Sequence, residues 1–182
     1  LHRFESENRD WPPPLPVPRP VSADILATLS ILVLLACFHN ITTLTSGLNG
    51  SQSIPWSDLG TAQASKILDG EWWRLITALT LHADAVHLLS NLWSGGVFVC
   101  LLCRETGSGL AWSLILASGA SGNLLNALLQ SPAHRSVGAS TAVFGAVGIL
   151  AAIGMVRYRN HLRKRWPLPV AAGLALLTIL GT

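Results

Sequence analysis

Charge is what this sequence has least of. Of its 182 residues only 12% are Asp, Glu, Lys or Arg, about half the share of a water-soluble domain, and that scarcity excludes an ordinary solvated surface. Cysteine is also sparse: Cys37, Cys100 and Cys103 all sit in apolar runs. The C-x-x-C at 100–103 has no second ligand pair, so these side chains read as buried small apolar groups rather than a disulfide framework or a metal site. The excess of basic over acidic residues is only +3 and is dispersed, without the aromatic and basic interleaving of a nucleic-acid groove. Nothing in the composition calls for nucleic acid, metal or cofactor. Methionine occurs once, at Met155, and the chain starts at Leu1.

What is abundant is apolar surface. Half of the residues are hydrophobic and the mean hydropathy is +0.47, which predicts an all-α, polytopic membrane helix bundle. Residues 1–21 are polar and then proline-rich, with six prolines between Trp11 and Pro20, and read as an extended cytoplasmic spacer. Residues 22–182 read as the membrane domain. Ser22 or Asp24 can cap a first span running from Ile25 to about Leu44. The second is expected from Val86 to Cys103, the third from Leu110 to Leu129 and the fourth from Val137 to Val156. A fifth begins near Pro167 or Pro169 and supplies only Leu168 to Leu180 before the sequence ends, short of the roughly 20 residues a span needs. The membrane domain is therefore expected to be truncated at its C-terminus.

Between the first two spans lies a long connection, Thr45 to Ala85, carrying Trp72-Trp73-Arg74. Tryptophan beside arginine suits a lipid–water boundary, and a loop of this length is expected to be locally structured or functional. Positive charge sets the orientation. With the amino terminus in the cytoplasm, nine basic residues fall on that side and only Lys66, Arg74 and Arg135 on the other, as the positive-inside rule prefers. The same choice brings the start of the second span and the start of the fourth to one outer face.

Three polar residues then share a depth. His87 and Asn91 are four residues apart, so they occupy one helix face, and an imidazole and a carboxamide in a membrane helix are costly unless they look into protein or a wet cavity. Ser140 opens the fourth span after Gly138-Ala139, at a helix start whose first N–H groups have no helical acceptor. Thr141, Gly145, Gly148 and Ala152, and likewise Gly138, Ala142 and Ala146, form small-residue stripes that let neighbouring backbones approach. On spacing alone the serine serves packing as well as it serves chemistry.

The combination is more specific than its parts. Trp73-Arg74, His82 with His87 and Asn91, Glu105, and Gly138-Ala139-Ser140 followed by Phe144 resemble the rhomboid intramembrane serine proteases, and the likeness covers roughly residues 22 to 182. It implies a rhomboid-like bundle of six core helices, of which about five are present here. It implies an active site below the outer membrane surface, with transmembrane protein substrates in the lipid bilayer and no cofactor or metal. By position, Ser140 is the expected nucleophile, and His87, Asn91 and the Ser140 N–H the expected oxyanion donors. Phe144 matches an aromatic position that packs on the catalytic base, Trp73-Arg74 and Glu105 match structural positions, and His82 matches a histidine near the water-filled cavity.

Two departures accompany the likeness. The family pattern is usually G-x-S-G, and here Thr141 follows the serine. The catalytic histidine of the sixth helix is missing from the sequence, which stops at Thr182. His161 cannot substitute, since it lies about 30 Å along the helix from Ser140 at helical rise; His39 and His134 match no family role and read as interfacial or loop residues. The fragment alone is thus expected to be inactive, because an unactivated serine hydroxyl is a poor nucleophile. A client-binding relative that does not cut is the alternative; a plain helical subunit fits the tryptophan-bearing loop and paired histidines less well. A bacterial plasma membrane is the simplest location.

Overall fold

The computed structural model describes residues 21–47 and 53–157, with side chains from residue 25 onward. The proline-rich segment, His161 and the fifth span lie outside the described residues, as do the side chains of Ser22 and Asp24; the backbone is already helical at Val21, so the first helix starts ahead of both expected caps. Among the described residues, four helices are long and apolar enough to cross a membrane: α1 (Val21–Ser46), α5 (Ala85–Thr106), α6 (Ser108–Leu129) and α7 (Ser140–Arg157). Between α1 and α5 stand three short helices, α2 (Trp56–Gly60), α3 (Ala64–Leu68) and α4 (Arg74–Thr77), and the strand β1 (Ala62–Gln63). A second strand, β2 (Arg135–Ser136), lies between α6 and α7.

Each long helix forms because its apolar run is long enough to satisfy its own backbone in hydrocarbon, where no water would. The expected spans agree with these helices to within a few residues at every end, and the largest late start is that of the fourth. Val137–Ala139 is not helical. Gly138 has φ +114°, in the left-handed region that stops a helix, and its N–H donates to the Ala78 carbonyl at 2.9 Å. The fourth helix therefore begins at Ser140 itself.

α7 packs on both α5 and α6, and α1 packs on α5. The main core joins Val99, Leu102 and Cys103 of α5, Ala111 and Ile115 of α6, Ala142 and Ala146 of α7, and Leu79 from the loop. A smaller one, of Ala62, Ala64, Ile67, Ala78 and Ala127, seats the loop on the end of α6. Away from these cores Leu26, Val33, Leu34, Leu44, Val86, Trp93, Leu129 and Val156 stay exposed. An apolar belt of that kind is a liability in water and the expected surface of a bilayer-embedded bundle. Of the cysteines Cys103 is buried, Cys100 half-buried and Cys37 exposed on α1, so the expected burial holds fully only for Cys103. At the far ends of α5 and α7, Arg157 and Glu105 pair at 2.6 Å.

The long loop is folded around one guanidinium. Arg74 is 3% exposed; its Nε donates to Glu71 Oε2 at 2.7 Å, Nη1 to the Thr61 carbonyl at 2.9 Å and Nη2 to the Asp58 carbonyl at 2.7 Å. A buried charge persists only with partners of this kind. The loop is tied in turn to the α6–α7 connection by the antiparallel pairs Ala62–Ser136 and Gln63–Arg135. Further bonds run from Ala64 N to His134 O (3.0 Å) and from Ser65 N to Pro132 O (3.1 Å). The arginine-centred loop therefore holds the segment that leads into Gly138 and Ser140.

Candidate active site

α5 starts where Asp84 caps it, its carboxylate accepting from the His87 N–H at 2.8 Å. This cap was not expected from the sequence, although an Asp three residues before His87 is the ordinary signal for one. It fixes His87 in the first turn and Asn91 one turn further, on the same face.

Gly138 brings these two side chains together with the start of α7. A Cβ on Gly138 would stand 2.6 Å from His87 Nε2 and Cε1 and 3.4 Å from Asn91 Nδ2. Only hydrogen fits there, so the glycine is required both by its backbone angle and by the imidazole lying over it. Asn91 is 5% exposed, and its Nδ2 donates to the His87 carbonyl at 3.1 Å. That bond uses one of the amide's two N–H groups and leaves the other toward the Gly138 turn.

Ser140 is half-buried at the first position of α7. Its level is set by packing further down. Val143 is buried and approaches Gly95 of α5, whose added Cβ would meet Val143 Cγ2 at 3.5 Å. Gly95 is one turn below Asn91, Val143 is one turn below Ser140, and the two helices run the same way, from the Gly138 end to the Glu105–Arg157 pair. Stepping back a turn on each helix brings Ser140 level with Asn91. Phe144 follows one turn after Ser140 and is half-buried.

Behind His87 runs a row of imidazoles. The His82 ring is edge-on to His87 at a centroid separation of 5.4 Å and to His39 at 6.3 Å. His82 is 9% exposed, and neither of its ring nitrogens nor His39 Nδ1 has a hydrogen-bond partner among the described residues. In the loop ahead of α5, burial pushes the His82 pKa down to about 4, with His87 and His39 adding to the effect; the Thr80 backbone opposes it without completing hydrogen-bond geometry. His82 is thus neutral at pH 7. His39 corrects an expectation: it is part of this row and not merely an interfacial residue. Its signal was an imidazole inside an otherwise apolar span, which is tolerated where it meets protein.

Among the described residues no group of three His, Cys, Asp or Glu side chains could hold a metal ion. The arrangement offers instead a hydroxyl on a helix start, where the first N–H groups have no helical acceptor, and on the neighbouring helix an imidazole and a carboxamide that both approach the Gly138 turn. Such donors can hold a developing oxyanion.

Residues 69–182 match the family profile described as Rhomboid domain. The chain belongs to the rhomboid family. It is 38% identical over 107 residues to Rhomboid protease GluP of Bacillus subtilis, covering 57% of this chain and 20% of that one. To RHOMBOID-like protein 6, mitochondrial, of Arabidopsis thaliana it is 33% identical over 132 residues, 72% and 40% of the two chains. To Rhomboid-like protease 3 of Toxoplasma gondii it is 42% identical over 98 residues, 52% and 35%. The chain spans less than half the length of each of these relatives. The rhomboid family includes intramembrane serine proteases acting on membrane-protein substrates within the bilayer, and this member is an integral membrane protein.

Proposed function

We propose that this rhomboid is a serine endopeptidase that cleaves transmembrane segments of other membrane proteins, with Ser140 as nucleophile and His87, Asn91 and the Ser140 N–H as oxyanion donors. The observation that carries this is the close approach of Gly138 to both His87 and Asn91, two residues before Ser140. Ser140 Oγ attacks the scissile carbonyl carbon as its proton passes to a general base; the carbonyl oxygen takes up the charge between the three donors. Collapse breaks the C–N bond, the base returns the proton to the leaving amine, and water later hydrolyses the acyl-serine.

The base is assigned to a histidine outside these 182 residues. In this proposal His87 serves the oxyanion and is not the base. The 182-residue segment by itself is accordingly expected to cut nothing. Charge bias favours a cytoplasmic amino terminus with the site near the outer face, in a bacterial plasma membrane. Preferred substrates are helices rich in small residues, because the backbone must unwind to present a carbonyl.

A second reading has one observation in its favour: Thr141 occupies the position where the family pattern has glycine, and a rhomboid with an altered serine turn can bind membrane clients without cutting them. The two separate in proteoliposomes holding the complete protein and a fluorescently labelled transmembrane segment. The protease yields two fragments and Ser140→Ala yields none; co-purification of the intact segment with no cleavage by the wild type contradicts the proposal.

A further inference from the structure

The residue after Ser140 departs from the family pattern, and the neighbouring helix is shaped to receive it. Going down α7, three successive contacts with α6 are made where one partner is small. The γ-methyl of Thr141 sits against Gly122, so closely that any Cβ on Gly122 would collide with it. Ala142 lies over Gly119, where an added Cβ would stand 3.0 Å from the Ala142 Cβ. Gly145 meets the Ser118 side chain with no room for a Cβ. The α6 numbers fall as the α7 numbers rise, as antiparallel neighbours require. Thr141 is the first tooth of this seam and the one adjoining the serine.

The seat of Thr141 has a polar edge as well. Its Oγ1 lies 3.5 Å from Asn123 Oδ1, a long contact, while Asn123, buried, donates from Nδ2 to the Leu75 carbonyl at 2.9 Å. The first turn of α7 therefore leans on a group anchored to α4. Successive residues of a helix point about 100° apart. Holding Thr141 toward α6 thus fixes the direction of Ser140 around the helix axis, toward α5, where Val143 already meets Gly95.

We propose that Thr141 is a positioning residue: its γ-methyl, seated on the bare backbone of Gly122, sets the rotation of the first turn of α7 and with it the aim of Ser140. This rests on Ser140 being the nucleophile. The Thr141–Gly122 pair then substitutes for the usual glycine after the serine by moving the space-making glycine to the facing helix.

A size exchange in the complete protein tests this, with a fluorophosphonate probe in detergent micelles. Maximal labelling rate is read separately from probe affinity and from the thermal midpoint. Gly122→Ala, which drives a methyl into the seat, and Thr141→Ser, which empties it, should each slow maximal labelling, the first by about tenfold or more, since small misplacements of a reacting group are costly. Gly122→Ala combined with Thr141→Ser refills the seat from the other side and should label faster than Gly122→Ala alone, with probe affinity unchanged throughout. If labelling depends on Ser140 but the double variant is as slow as the two single effects multiplied, or if Gly122→Ala labels at the wild-type rate, the positioning role is wrong while the nucleophile stands. If Ser140→Ala labels like the wild type, both fall together.

Discussion

Asn91 and His82 show how much a single polar side chain commits this protein to. Asn91 has one amide N–H bound to the His87 carbonyl within its own helix, and the proposed chemistry gives the other to the oxyanion. Asn91→Ala in the complete protein is expected to lower kcat by about a hundredfold, the usual effect of losing one oxyanion donor, without abolishing turnover, because His87 and the Ser140 N–H remain; cleavage of a fluorogenic transmembrane peptide measures it. His82 bears on stability. Its folded pKa, about 4, lies below the ordinary 6.5, so the unfolded chain takes up a proton that the folded one refuses as pH falls through that interval. The His82 contribution is nil above about pH 6.5, erodes stability between there and pH 4, and is constant below. The thermal midpoint in detergent should drop from pH 7.5 to pH 5, and His82→Gln should lose less over the same range; equal losses would mean that His82 does not titrate as described.

At the scale of elements, the seam between α6 and α7 carries the site as much as any donor does. Gly145 faces Ser118 with no space for a methyl, so Gly145→Ala is expected to cost about 1–3 kcal/mol by overpacking, and Ser118→Gly should recover most of it in the same background. Thermal unfolding of the single and double variants checks this. The long helices were legible in the sequence because crossing hydrocarbon demands an apolar run of fixed length, and α5 and α6 begin and end within a few residues of expectation. The start of α7 was not legible from hydropathy, since Val137 is as apolar as its successors; the break lies in the backbone angle of Gly138 and its bond to Ala78. The ribbon of β1 and β2 was equally hidden, because two residues a side leave no period to read. Of the polar groups, His87 and Asn91 were legible as one helix face and Ser140 as a helix start, whereas His39 needed the packing of α1 to bring it against His82.

The whole molecule is a membrane bundle in which one folded loop, built on the buried Arg74, holds the turn that delivers Ser140 to the level of Asn91. Its exposed apolar belt and its membership of the rhomboid family place that turn in an integral membrane protein, and the proposed chemistry gives it a purpose. In that chemistry Ser140 is the nucleophile. The most direct measurement is covalent labelling of the complete protein by a fluorescent fluorophosphonate, followed by mapping of the modified peptide. Modification is predicted on Ser140, with no labelling of Ser140→Ala in an otherwise folded protein. Persistent labelling of Ser140→Ala, or a modified peptide that excludes residue 140, would contradict it.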